Sequence, residues 1–206
     1  MVNKKTDNDN PIVEKYPWQV SVLPDGRSRV FGIVLDETTL KQVDKILKSQ
    51  PKVALFETKE KLSLEAYYKN VSLGGLIGSF VITLNTTDSE LMQFKQASRK
   101  QERAENNGVR HEFDKTFSDK AKNLIVKNLI YIPTVQLDEE TIVKRFGTPT
   151  HKIKLKTKEV GWHYLYADKG LDLIYKEEGK EVLQYVLPKN FNALLVPLQS
   201  LQNQKH

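Results

Sequence analysis

The sequence predicts an α+β fold made of two tandem modules, each a short helix packed on a small antiparallel β-meander. Three observations predict it. A helix pattern followed by strand-like runs fills the stretch from Leu137 to Leu187. A fainter copy begins at Leu35, roughly a hundred residues earlier. Turn signals at Asp25-Gly26, Gly74-Gly75 and Gly147-Thr148-Pro149 punctuate both. The chain then divides into a disordered leader (1–12), a first module (13–86), a helical connector (87–128), a second module (129–190) and a C-terminal tail (191–206).

A chain of 206 residues, 39% apolar and 28% charged, has the composition of a globular protein with a sizeable core. The most apolar stretch, 73–84, is broken by Gly74, Gly75, Gly78 and Ser79, so no segment reads as a membrane-spanning helix. The absence of cysteine excludes disulfides, thiolate catalysis and cysteine-based metal sites. The net charge of +6 is spread among acids, as at Lys156-Thr157-Lys158-Glu159. Such mixing marks a solvated surface and not a nucleic-acid-binding stripe.

In the first module, residues 17–23 alternate apolar and polar, Pro24-Asp25-Gly26-Arg27 turns the chain, and 28–33 return, which predicts a hairpin. Asp36 is expected to cap a helix whose apolar face is Leu40, Val43, Ile46 and Leu47. Gln50-Pro51 ends that helix, because proline disfavours helical conformation in the residue before it. Strands follow at 53–58, 64–71 and 76–84. The connector reads as a polar helix over 87–106 with a thin stripe at Leu91, Phe94 and Ala97, stopped by Asn106-Asn107-Gly108. A short strand at 109–113, a helix at 118–128 and a strand at 129–135 lead into the second module.

There Asp138 caps a helix with Ile142, Val143 and Phe146 inward, and Gly147-Thr148-Pro149 stops it. The meander runs through 153–157, 161–166, 171–175 and 181–187. The run Ala193-Leu194-Leu195-Val196-Pro197-Leu198 in the tail must pack on something, and 199–206 reads as frayed.

The two copies align at Leu35-Asp36-Glu37 with Leu137-Asp138-Glu139, at Phe56-Glu57-Thr58-Lys59-Glu60 with Leu155-Lys156-Thr157-Lys158-Glu159, and at Gly75-Leu76 with Gly170-Leu171. In the second copy, Val143 through Pro149 and Trp162-His163-Tyr164 resemble the capped helix, F-G-x-P-like stop and W-x-Y strand of the small outer-membrane lipoprotein family SmpA/OmlA, a component of the β-barrel assembly machinery. A tandem of two such helix-plus-meander units is also similar to the β-lactamase inhibitor protein, and the resemblance implies a fold of that kind. The chain departs from that family in having Gln136-Leu137-Asp138 where a glycine-containing turn is usual, and in lacking the lipoprotein cysteine. The resemblance implies a periplasmic or outer-membrane-attached protein with its signal removed, an N-terminal anchor outside this sequence, and a protein partner in the cell envelope. A cytoplasmic location is the alternative.

Catalytic patterns are missing from the sequence. The four histidines, His111, His151, His163 and His206, have no metal-ligand spacing, and no G-x-S-x-G, Walker or Rossmann fingerprint occurs. Gly74-Gly75-Leu76-Ile77-Gly78 reads as a turn into a strand, since a phosphate cradle needs a following helix N-terminus. The acids at 36–37 and 138–140 are accounted for as helix-start charges. The expectation is therefore a non-enzyme with no cofactor, no metal and no nucleic-acid partner. Trp162, Tyr164 and Tyr166 share one face of a strand, with Tyr175 and Tyr185 on neighbouring strands. They either pack in the core against the helix or form a concave sheet face that grips a partner. The leading functional expectation is a non-catalytic envelope protein that binds another protein through a β-sheet face, with Trp162, Tyr164 and Tyr166 as the binding residues. The alternative is a small-ligand or lipid-binding protein with its pocket between sheet and helix.

Overall fold

A period of two in the burial of residues 76–84 sets the plane of the molecule: Gly78, Phe80, Ile82 and Leu84 are buried on one face, while Ile77, Ser79, Val81 and Thr83 point the other way. The computed structural model describes residues 14–59, 61–104, 108–155 and 160–203, with side chains as far as Ser200. The leader, the connector stop at Asn106-Asn107, residues 156–159 of the expected strand and repeat match, and His206 lie outside the described residues.

In chain order the elements are β1 (Val20–Val22), β2 (Ser28–Val30), β3 (Ile33–Val34), α1 (Leu40–Leu47), β4 (Lys52–Glu57), β5 (Leu62–Leu73), β6 (Leu76–Leu84), α2 (Asp88–Gln96), β7 (Lys100–Arg103), β8 (Val109–Glu112), α3 (Lys115–Ala121), β9 (Val126–Pro133), α4 (Glu139–Phe146), β10 (His151–Lys154), β11 (Gly161–Tyr166), β12 (Leu171–Lys176), β13 (Val182–Tyr185) and α5 (Asn192–Asn203). Strands β1 to β3 form a small antiparallel sheet. The others form one ten-stranded antiparallel sheet in the order β10-β11-β12-β13-β9-β6-β5-β4-β8-β7. The fold is α+β, as the sequence predicts, and both meanders lie in one sheet, joined by β9 between β6 and β13.

The inner face carries the main core. Leu40, Val43 and Leu47 of α1, Leu91 and Phe94 of α2, Ala121 of α3, and Ile142 and Phe146 of α4 pack with the inward residues of the sheet. The turn between β2 and β3 presses Phe31 onto Phe80, Tyr131 and Tyr185, at ring-centroid distances of 5.1, 5.0 and 6.2 Å. Phe31 and Gly32 both have positive φ (55° and 75°), the geometry of a two-residue hairpin turn. The burial of the phenylalanine ring offsets the cost of that backbone. Each half also ties its helix to its second or third strand through a carboxylate. The Tyr68 hydroxyl donates to Asp44 of α1 at 2.6 Å, and the Tyr164 hydroxyl donates to Glu139 of α4.

Four expectations are corrected. Asp36 does not cap α1; it sits at φ 64°, its N–H donating to Val126 O at 2.8 Å, and Thr39 is the N-cap residue. Segment 36–41 is held against 122–126 by backbone bonds, which delays the helix by one turn: Val126 N donates to Thr38 O and Leu40 N to Leu124 O, both at 2.9 Å. Among the described residues of the expected connector helix only 88–96 are helical, because Lys100–Arg103 pairs with β8 as an edge strand. The expected helix at 118–128 is displaced: α3 ends at Ala121, and β9 begins at Val126. Val143 is exposed, since an eight-residue helix offers the core one narrow stripe, here Ile142 and Phe146. Asp138 does cap α4, its Oδ1 accepting from Thr141 N at 2.6 Å, and Gly147 ends it.

Candidate functional site on the open face of the sheet

Strand alternation turns Trp162, Tyr164 and Tyr166 to the inner face of β11. Tyr164 and Tyr166 are each 1% exposed and belong to the main core. The Tyr166 hydroxyl donates to Gly147 O at 3.2 Å, and burial pushes both phenols up to about 12. Of the three, only Trp162 keeps a partly exposed side chain, under the Lys152 ammonium 4.6 Å from its ring. The shared aromatic face is thus core and not an open concave surface. Lys152 in turn pairs with Glu139, holding that carboxyl below its usual range.

The opposite, outer face of the sheet has two parts. At one end α5 lays Leu194, Leu195 and Leu198 over Ile153, Leu165, Val186 and Phe191, a second core. Toward the other end, Ile174, Val182, Ile130, Ile132, Val81 and Phe56 point outward, are only partly buried, and belong to neither core. Register places Gln184, Ile130, Val81, Tyr67 and Lys52 in one row across five strands.

Where β4, β5 and β6 meet, this face is hollowed into a basin of about 450 Å³. Its floor is Ala54, Phe56, Tyr67 and Val81; Lys52, Lys69, Arg110, Glu65 and Gln50 stand around it. Each floor residue is an outward position of its strand, so the basin follows from strand periodicity and pairing. Lys52 and Lys69 form no ion pair among the described residues, whereas Arg110 is held between Glu112 (2.9 Å) and Glu102 (3.5 Å). Glu65 accepts from Ser63 Oγ at 2.8 Å, and burial pushes its carboxyl up. An apolar floor with aromatic anchors and a mostly cationic rim has the make-up of a binding surface.

Two histidine–carboxylate pairs were not legible as pairs in the sequence. His111 bonds Glu57 through Nε2 at 2.9 Å, and Glu57 also accepts from Lys95 at 2.5 Å; these two bonds, the lysine first, hold the Glu57 carboxyl below its usual range. His163 Nδ1 lies 2.9 Å from Asp172 Oδ2 on the neighbouring strand. Among the described residues no serine or threonine hydroxyl bonds either imidazole, and no cluster of three or more metal-ligating side chains occurs. No described helix is long and apolar enough to cross a membrane.

The basin floor draws its residues from three different strands, so no single strand of the sequence announces it. A signal for the open band, and for Val81 in the basin floor, was the apolar character of residues 76–84 and 129–133, where outward Ile77, Val81, Ile130 and Ile132 alternate with inward apolar residues. Such runs belong to strands covered on both sides, or awaiting a cover. In comparison with known proteins, the chain matches no family model, no curated protein and no solved structure.

Proposed function

We propose that the protein is a non-catalytic binding protein that takes a protein partner on the open outer face of its sheet, centred on the basin at Phe56, Tyr67 and Val81. The observation that carries this reading is the band of outward apolar side chains that packs into neither core. Charge adds to it: Lys52 and Lys69 at the rim form no ion pair among the described residues, so an acidic patch on the partner would gain the most there. The sheet edges speak for the face over strand addition. Edge strand β7 reads Lys-Gln-Glu-Arg and edge strand β10 reads His-Lys-Ile-Lys, charges that discourage pairing with another strand.

In this reading the chain is a tandem of two helix-plus-meander modules, α1 with β4–β6 and α4 with β10–β12, of the β-lactamase inhibitor protein-like kind. In each module a tyrosine of the second meander strand bonds a helix carboxylate, Tyr68 to Asp44 and Tyr164 to Glu139, although the two carboxylates stand at different turns of their helices. The same reading takes the partner to be in the cell envelope and the protein to be in the periplasm or at the outer membrane, which rests on the resemblance of Val143 through Pro149 and Trp162-His163-Tyr164 to the SmpA/OmlA lipoproteins.

Site-specific photo-crosslinking in cells tests the face directly. A crosslinker at Tyr67 or Val81 is expected to capture one partner in defined stoichiometry, and one at Met92 on α2, also exposed, is not. Equal capture from Met92 would overturn the assignment of the face. A partner recovered only from the cytoplasm would overturn the envelope placement alone.

A further inference from the structure

A second recess lies on the helix-bearing side, away from the basin. It sits between α4 and strands β6, β9 and β13, with the N-terminal segment at Pro17 and Trp18 crossing beside it. Its volume is about 150 Å³, and Trp18, Leu76, Tyr131, Val135, Leu137 and Leu183 line it, with Ile77 at its rim. That equals about five waters in bulk. It is room for one branched or aromatic side chain, well under the ~300–1,000 Å³ typical of pockets for whole small molecules.

Two polar groups at this recess have no acceptor among the described residues. One is the hydroxyl of Tyr131, whose ring is buried. Glycine at position 78 lets the ring lie down there: a Cβ would come within 2.3 Å of the Tyr131 ring and 2.7 Å of its hydroxyl. Arg145, on the last turn of α4, also lines the recess and has no ion pair among the described residues. Its guanidinium is held over Trp18 at 5.0 Å, and Trp18 is stacked on Tyr16 at 5.0 Å. An apolar wall with a pre-positioned guanidinium at its edge fits a carboxylate that carries an apolar side chain. Ile77 and Val135, 46% and 61% exposed, extend the apolar surface outward from the recess. A ligand no larger than the recess would leave them bare, whereas a chain running on from it would cover them.

We propose that this recess takes the C-terminal residue of a partner polypeptide, its apolar side chain in the cavity and its terminal carboxylate on Arg145. The site is separate from the basin and stands or falls independently of it.

The test is an NMR titration that follows the Trp18 indole N–H. The probes are the tetrapeptide acetyl-Gly-Ser-Gly-Leu as free acid, the same peptide as C-terminal amide, and 4-methylpentanoic acid. The free-acid peptide is expected to shift the Trp18 resonance saturably, and the amide to bind roughly tenfold more weakly. In Arg145→Gln the acid and amide become equivalent; in Arg145→Lys the preference for the acid persists. Arg145 is exposed, so both variants are expected to melt with the wild type. Failure of every probe to shift Trp18, or equal binding of acid and amide by the wild type, overturns the site. Binding of 4-methylpentanoic acid as tight as that of the peptide overturns the polypeptide in favour of a free small acid.

Discussion

Glu181 illustrates what a single residue can hide. In the sequence it stands just after the turn at 177–180, in a stretch dense with charge, and reads as one more solvated acid. In the fold it is 0% exposed; its Oε1 accepts from Leu137 N at 2.9 Å and its Oε2 has no partner among the described residues. Burial pushes its carboxyl up. The folded chain therefore binds this proton more tightly than the unfolded chain does. Stability from this group is full below the ordinary carboxylate range, near pH ~4.3, and is lost as pH rises through the raised value. Glu181→Gln keeps an acceptor for Leu137 N and removes the ionisation. Urea melts at several pH values should show the variant more stable by about 1 kcal/mol at neutral pH, and equal to wild type below the carboxylate range. A difference independent of pH would mean that desolvation is not what acts at Glu181. His163 and Asp172 were unreadable for a related reason: their pairing depends on the register of β11 against β12, and nothing local announces it.

At the scale of elements, legibility followed locality. The strands at 62–73 and 76–84, and the α4 start at Asp138 and stop at Gly147, all rest on signals within a few residues, and the sequence carried them. Lys100–Arg103 is a run of good helix formers that pairs as a strand because β8 is beside it, so a non-local partner outweighed propensity. The apolar run 193–198 had to pack somewhere, and α5 shows where: it covers Ile153, Leu165, Val186 and Phe191 on the outer face. α5 thereby divides that face into a closed end and the open band with the basin. Replacing Leu194 and Leu198 together by aspartate should expose this second core and cost roughly 2 kcal/mol, measured by thermal melting. The Tyr67 crosslink should survive in the folded fraction. Loss of crosslinking at unchanged stability would instead make α5 part of the binding surface.

For the molecule as a whole, the decisive fact is the position of β9. The sequence predicted helices and meanders one after the other, a plan in which each half could stand alone. It could not reveal that β9 would hydrogen-bond β6 on one side and β13 on the other, because that register is fixed by contacts far apart in the chain. The connector (87–128) is itself built into the sheet, since its strand β8 pairs with both β4 and β7. A cut between Ala104 and Gly108 thus parts β7 from β8, β4 from β8 and β6 from β9. The fragment 14–104 would carry β6 as an edge, with Phe80, Ile82 and Leu84 deprived of Leu129 and Tyr131 across the core. Such an edge is unstable alone and prone to association. Expressed separately, fragments 14–104 and 108–203 should show no cooperative thermal transition. Co-expressed, they should purify as a stable pair that melts once, because the strands each lacks are supplied by the other. If 108–203 alone melted cooperatively, the second half would be an independent unit that merely shares a seam with the first. The open face would then be assembled from two separable domains, and a partner spanning the seam from Val81 to Ile130 would bind by clamping them together.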